Sequence, residues 1–275
     1  MSRTLSGVTT VLLLAPLCAL MALFFIVPLG QIAWTSVYDG KISFNAYVTL
    51  FSSALMRLVL IATFQIAITS TLVSLLISYP IALHLASQTP RKRGAYMLLV
   101  LLPFWTSILV KSFALVVILG DKGLINSALA WASNGSLRIP MVFNRTGVII
   151  GMVNYLVPFM VLPILASLLA QDRALHRAAE VMGAGPIRIF WRITVPLSLP
   201  GVISGVLLNL AIAIGFYITP SLLGGRRDVM MANLVDLYTR QTLNWQLASA
   251  VAMILFVISV FLFLLLMRST EKPVV

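Results

Sequence analysis

"HRAAEVMGAGPIRIFWRITVPLSLPG", residues 176–201, is a charged and punctuated stretch in a chain that is otherwise mostly apolar. It carries Arg177, Arg188 and Arg192, one acid, Glu180, and then Gly183, Gly185, Pro186, Pro196 and Pro200. Read locally, it is two short helical pieces around a bend. Asp172, just upstream, is placed to cap a helix, because its carboxylate accepts from backbone N–H groups that a first turn leaves free. Leu175, Ala178, Ala179 and Met182 recur at the spacing of one helical face. The alanines make that stripe small, suited to close docking in a groove of another chain. Gly183 is placed to end the helix in a left-handed conformation, and Pro186 fits the first turn of a second helix. Arg188 and Arg192 share a face of that second helix. Pro196 and Pro200 then interrupt or start the apolar run that follows. An ordinary basic loop accounts for the arginines, but not for the alanine pair, the glycine bend and the proline stop together.

The surroundings decide the class. The 275 residues are 60% hydrophobic and only 9% charged, with a mean hydropathy of +1.05. A soluble domain carries about 25% charged residues, so the chain is an all-α integral membrane protein. The hydrophobicity comes in long runs and not in period-2 alternation, which excludes a barrel. Helices crossing a core about 30 Å thick need about 20 apolar residues. Six runs qualify, at residues 11–34, 58–86, 95–119, 147–169, 197–223 and 246–267, forming one domain over residues 1–275. The first run is too long for the apolar region of a signal peptide and reads as a retained span. Cys18 is the only cysteine and makes no internal disulfide. "LINSALAWA", in a loop between spans, reads as a short interfacial helix with Trp131 at headgroup depth.

The net charge of +12 is that of basic loops, which set membrane orientation, and not of a nucleic-acid binder. With both termini inside, the inner side holds Arg3, Arg91, Lys92, Arg93, Arg173, Arg177, Arg188, Arg192, Arg268 and Lys272. The outer side holds Lys41, Arg57, Lys122, Arg138, Arg145, Arg226, Arg227 and Arg240. The compact "TPRKRG" block weighs most and puts both termini, and the opening stretch, in the cytoplasm.

Missing chemistry narrows the role. The chain has no P-loop, no G-x-S-x-G elbow, no H-E-x-x-H helix and no metal-ligand spacing. Its seven acids, Asp39, Asp121, Asp172, Glu180, Asp228, Asp236 and Glu271, all fall in loops or ends. Ion-coupled pumps place ionisable groups inside their spans; here only Lys111 lies well inside a run. The chain therefore reads as a path whose energy comes from elsewhere, and not as an enzyme.

The opening stretch resembles the EAA loop of ABC importer permeases, whose pattern is Glu-Ala-Ala, three residues, Gly, nine residues, Ile, one residue, Leu-Pro. Ala178, Ala179, Gly183, Ile193 and Pro196 match it. Arg177 stands in place of the Glu and Val195 in place of the Leu; Glu180, one turn on, is a substitute for the missing carboxylate. "LLPFWTSILVKSFAL" (101–115), "VNYLVPFMVLPI" (153–164) and "GFYITPSLLGG" (215–225) are similar to spermidine/putrescine permeases of the larger-subunit type. The resemblance implies a type I importer permease in a bacterial cytoplasmic membrane. It implies a second homologous permease, an ATPase dimer and an extracytoplasmic solute-binding protein as partners. Residues 172–196 become the loop that couples to the ATPase, with ATP and Mg bound in that separate subunit and no cofactor here. The implied cargo is a polyamine, with another small amine, amino acid or related solute as the alternative. A stand-alone channel or a secondary carrier is the reading from another class.

Polar and aromatic residues inside the spans are candidates for the path. Trp105, beside Phe104, offers a face for cation–π contact. Asn154, Tyr155, Asn209, Tyr217 and Thr219 either line the path or hydrogen-bond between helices. Gly215 and Pro220 suggest a locally opened helix. A straight helix from Ala95 puts Lys111 about 24 Å along its axis, where it snorkels to the outer interface. Asp228 and Asp236 are expected to pair with Arg226, Arg227 and Arg240. With no acid in the spans, tight selection of a polycation is expected in the binding protein.

Overall fold

A computed structural model describes residues 7–38 and 40–270. Arg3, Asp39, Glu271 and Lys272, charges weighed above, lie outside the described residues. Among the described residues, five helices are long and apolar enough to cross a membrane: Leu14–Val37, Ala54–Ser87, Arg145–Leu169, Pro186–Ile214 and Trp245–Arg268. A sixth crossing is a bent pair, Pro90–Trp105 with Ile108–Ala132.

The chain divides into two compact units. The first comprises residues 1–53 and 234–254. Helices α1 (Gly7–Met21) and α2 (Val27–Val37) are joined by a π-turn, Ala22–Ile26, and followed by α3 (Asn45–Ser52). The Tyr47 hydroxyl donates to Ser36 Oγ at 2.9 Å and ties α3 to α2. Trp34 and Tyr38 stack at 5.1 Å.

The second unit comprises residues 54–233 and 255–275. Its core is three helices, α4 (Ala54–Ser87), α8 (Arg145–Leu169) and α11 (Val195–Ile214). Between them lie α5 (Pro90–Leu101), α6 (Ile108–Leu119) and α7 (Leu124–Ala132), then α9 (Arg173–Val181) and α10 (Pro186–Ile189). α12 (Ile218–Leu223) follows; α13 (Met231–Asp236) and α14 (Trp245–Thr270) each run from one unit into the other, dividing at residues 233/234 and 254/255. α8 buries Val148, Met152, Leu156, Met160 and Ile164, one residue per turn and all fully inaccessible. The facing helices are lined with small residues: Ala67, Ser70, Ser74 and Ser78 on α4, and Gly201, Gly205, Asn209 and Ala213 on α11. In a membrane, small residues let backbones approach until van der Waals contact and interhelical hydrogen bonds hold them. A Cβ on Gly201 would strike the Pro163 carbonyl oxygen and Ser167 Cβ, and one on Gly205 would lie 2.8 Å from Met160 Sδ. Ser78 Oγ donates to the Val157 carbonyl at 3.3 Å, and Tyr79 Oη lies 2.9 Å from Ser198 Oγ.

Two runs depart from the expected straight spans. The third, 95–119, is broken after a 3-10 turn at Leu102–Trp105, and the two arms meet at 91°. Pro103 allows the tight turn, and Thr106 and Ser107 take extended ψ values of 143° and 134°. The fifth, 197–223, begins earlier and ends sooner. One helix runs from Pro186 to Ile214, stops at Gly215, and restarts as α12. Pro196 therefore neither stops nor starts a helix. A proline ring clashes with the carbonyl four residues back in a regular helix; here a π-turn, Phe190–Thr194, widens the backbone just before it, with Val195 N–H bonded to the Phe190 carbonyl. The same device precedes Pro28, where Val27 N–H bonds to Ala22 after the first π-turn.

Candidate functional site

The 172–196 segment is built around α9. Asp172 caps it, its Oδ1 accepting from Ala174 N–H at 2.7 Å. At the other end Gly183 adopts φ +79°. Gly183 N–H donates to the Glu180 carbonyl and Ala184 N–H to the Ala179 carbonyl, each at 2.9 Å, the paired bonds of a Schellman cap. Gly185 then caps α10, with Pro186 in its first turn. Between these caps, Ala178, Glu180 and Arg177 are exposed and Ala179 is half-buried. Neither Arg177 nor Glu180 has an ion-pair partner among the described residues. Val181 and Met182 are 89% and 86% exposed, and Leu175, Ile187 and Trp191 add further apolar surface.

This segment is fastened to the base of the long fifth helix by contacts the spacing does not reveal. His176 Nε2 lies 3.2 Å from Thr194 Oγ1, and Gln171 Nε2 donates to the Thr194 carbonyl at 3.0 Å. Thr194 belongs to the π-turn that also holds Ile193, which is half-buried, and leads to Pro196. These contacts tie α9 to the first turns of the helix that runs on to Ile214.

The second cluster sits at the break in the third span. Because of the 91° bend, Lys111 does not reach an outer interface as a straight helix would carry it. Its Nζ donates to the Pro103 carbonyl at 2.7 Å and lies 5.2 Å from the centroid of the Tyr155 ring. Tyr155 is near the middle of the 25-residue α8. It packs edge-on against Phe216 at 5.0 Å and lies tilted against Phe159 at 5.4 Å, and Phe159 meets Phe104 edge-on at 5.5 Å. Pro103 and Asn154 also line a groove of about 770 Å³ that extends along α4, α5 and α8 to His84 and Tyr96. Trp105 is 71% exposed on the 3-10 turn. Asn209 is buried, donating to the Leu156 carbonyl at 3.2 Å. Thr219 is buried with its methyl group against Gly151. Tyr217 sits at the break before α12, its carbonyl accepting from Asn233 Nδ2 at 3.0 Å. Of the candidate path residues, Tyr155 alone joins the aromatic cluster; Phe159, Phe216 and the Pro103 carbonyl complete it, and their spacing in sequence gives no sign of it.

At the far end of α8, Arg145 holds Asp228 by Nε at 3.2 Å and Gln65 by Nη1 at 2.7 Å. Asp228 also accepts from Gly225 N–H at 3.2 Å. Its partner is therefore Arg145 and not Arg226 or Arg227, because the fold folds the 224–230 loop back over the start of α8. Asp236 pairs with Arg240 at 2.7 Å, as the spacing of four suggests.

The family described as "Binding-protein-dependent transport system inner membrane component" matches residues 74–270. The chain is 32% identical over 213 residues to the spermidine/putrescine transport system permease protein PotB of Escherichia coli (strain K12), covering 78% of each. It is 32% identical over 237 residues to the PotB protein of Haemophilus influenzae (strain ATCC 51907 / DSM 11121 / KW20 / Rd), covering 86% of this chain and 82% of the relative. Its fold matches a chain of a bacterial ABC transporter involved in the import of the acidic polysaccharide alginate, with a TM-score of 0.74, 21% identity and 96% of both chains covered.

Proposed function

The chain belongs to the family of binding-protein-dependent transport system inner membrane components and is a permease of an ABC importer, and from that premise we propose that it carries a small polycation of the spermidine/putrescine type. It forms half of the path, a second homologous permease forming the other half. A separate ATPase dimer supplies ATP and Mg chemistry, and an extracytoplasmic binding protein delivers the solute. Both termini and α9 face the cytoplasm, as the cationic "TPRKRG" block directs.

One observation carries the coupling role: α9 is capped at both ends yet leaves its small apolar stripe uncovered. A nine-residue helix is marginal alone, and this one is held by Asp172, by Gly183 and by the His176–Thr194 contact. Arg177, Ala178, Ala179, Glu180 and Gly183 present the docking surface, and Ile193 and Pro196 lie where its motion enters the fifth helix. The path side is assigned to the aromatic cluster at Tyr155 and to the neighbouring Trp105, Asn154 and Tyr217. Asn209 and Thr219 act on it through helix packing.

A photo-crosslinker in place of Ala178 tests the docking. In membranes containing the whole transporter it forms an adduct with the ATPase subunit, and ATP trapping changes the yield. Adducts with lipid or with the permease pair only would overturn the assignment. The purified chain alone hydrolyses no ATP.

A further inference from the structure

Lys111 is the residue this fold has least reason to keep. A cation inside a membrane span is costly and marks a site until another role is shown. It does not neutralise an acid: among the described residues the only ion pairs are Arg145–Asp228 and Arg240–Asp236. It does not escape to an interface either, because the bend folds it back against the middle of α8. What it touches is a set of ammonium acceptors. The Pro103 carbonyl lies where the first arm of the broken span ends; it accepts from Thr106 Oγ1 at 2.9 Å and, on its second lone pair, from Lys111 Nζ. The end of a helix is its negative pole. Discontinuous transport helices use such ends, and the carbonyls freed there, to hold cations. The Tyr155 ring supplies a π face, held in place by Phe216 and Phe159.

We propose that the Lys111 side chain is a tethered occupant of a primary-ammonium site, formed by the Pro103 carbonyl and the Tyr155 ring, which it vacates when an amine of the cargo passes. The proposal rests on the cationic cargo assigned above and adds where the amine binds and what keeps that place filled between turnovers. A carbonyl with one lone pair unfilled beside its Thr106 bond, and an open π face, in mid-span are a resting leak for any small cation. A lysine on a flexible stem fills them without trapping the cargo, since each incoming ammonium competes with an equivalent group. The groove that reaches Pro103 and Asn154 has room for the rest of a linear amine chain. The site holds no carboxylate, so occupancy is brief, as passage requires.

The test is equilibrium binding of labelled putrescine to the assembled transporter in nanodiscs, without binding protein or ATP. Lys111→Met removes the tethered ammonium and keeps the length of the side chain. We expect it to bind putrescine about tenfold more tightly than the unaltered transporter. The gain disappears in Lys111→Met/Tyr155→Leu and is absent for 1,4-butanediol, which has the same chain without charge. Lys111→Gln, which keeps a donor for the Pro103 carbonyl, gives a smaller gain and serves if Lys111→Met does not assemble. Equal putrescine binding by the unaltered and both substituted transporters, each monodisperse, overturns the proposal. So does loss of uptake restored by Lys111→Arg with no change in amine binding, which would make Lys111 a contact for an anionic cargo group. If the unaltered transporter takes up no polyamine at all, the cargo assignment itself fails, a result distinct from either outcome at Lys111.

Discussion

Substitution of Gly183 separates backbone conformation from space at the docking helix. Gly183 has φ +79° and nothing within 4 Å of where a Cβ would lie. Steric contact with neighbours therefore contributes nothing, and the cost is that of a left-handed backbone alone. That is about 1 kcal/mol for alanine and about 2 kcal/mol for a β-branched residue, with asparagine tolerated better. Both Schellman bonds, from Gly183 and Ala184, depend on this conformation. Taking a nine-residue helix as balanced between folded and unfolded, 1 kcal/mol lowers the α9 population about threefold and 2 kcal/mol about fifteenfold. ATP-driven uptake falls in the order Gly183, Asn, Ala, Val by those factors, while insertion and the basal activity of the ATPase stay near normal. Gly185 is the control. It is equally open, with φ −71°, and as the cap of α10 it accepts serine without strain, so Gly185→Ser transports normally. Uptake by Gly183→Val at the normal rate, or equal damage from Gly185→Ser, refutes the reasoning.

Three further outcomes follow from particular contacts. Gly201→Ala forces α11 away from the Pro163 carbonyl, whereas the nearest atom to a Cβ on Gly205 is the sulfur of the flexible Met160 side chain, with Pro163 Cγ next at 3.2 Å; thermal denaturation in detergent shows a loss of about 1–3 kcal/mol for the first and less for the second. Asp228→Ala removes the ion pair of Arg145, leaving it only Gln65, and frees the Gly225 N–H, so hydrogen exchange rises in residues 224–230 and at the start of α8 while α9 is unchanged. Glu180→Gln lowers coupled uptake by up to about fivefold, the range of an exposed ion pair, and adding Arg177→Glu restores it; unchanged uptake by Glu180→Gln shows that position 180 makes no such contact, and a double variant no better than the single shows that a carboxylate at position 177 does not replace it.

The caps and bend of residues 172–186 were legible because their chemistry is local. Asp172, Gly183 and Pro186 each act within a few residues of chain, so type and spacing specify the caps. The three-helix core was legible as spans but not as packing, since the small faces of α4 and α11 acquire meaning only when Met152, Leu156 and Met160 of α8 lie against them. The bend at Thr106 and Ser107 was not legible: both lie in an apolar run, and Pro103 is equally compatible with a helix that continues. That one bend carries Lys111 from an interface to mid-span. Pro196 misled for the opposite reason, because a π-turn absorbs a proline that composition reads as a stop. Asp228 found Arg145 through tertiary folding, which adjacent Arg226 and Arg227 concealed.

The central claim is that this chain conducts a small polycation with energy delivered through α9. Spermidine uptake into proteoliposomes containing the permease pair, the ATPase dimer and the binding protein tests it most directly. The account predicts accumulation that requires ATP and is lost with Gly183→Val while ATP hydrolysis continues. Accumulation driven by an ion gradient in vesicles containing this chain alone, with no ATPase present, would contradict it.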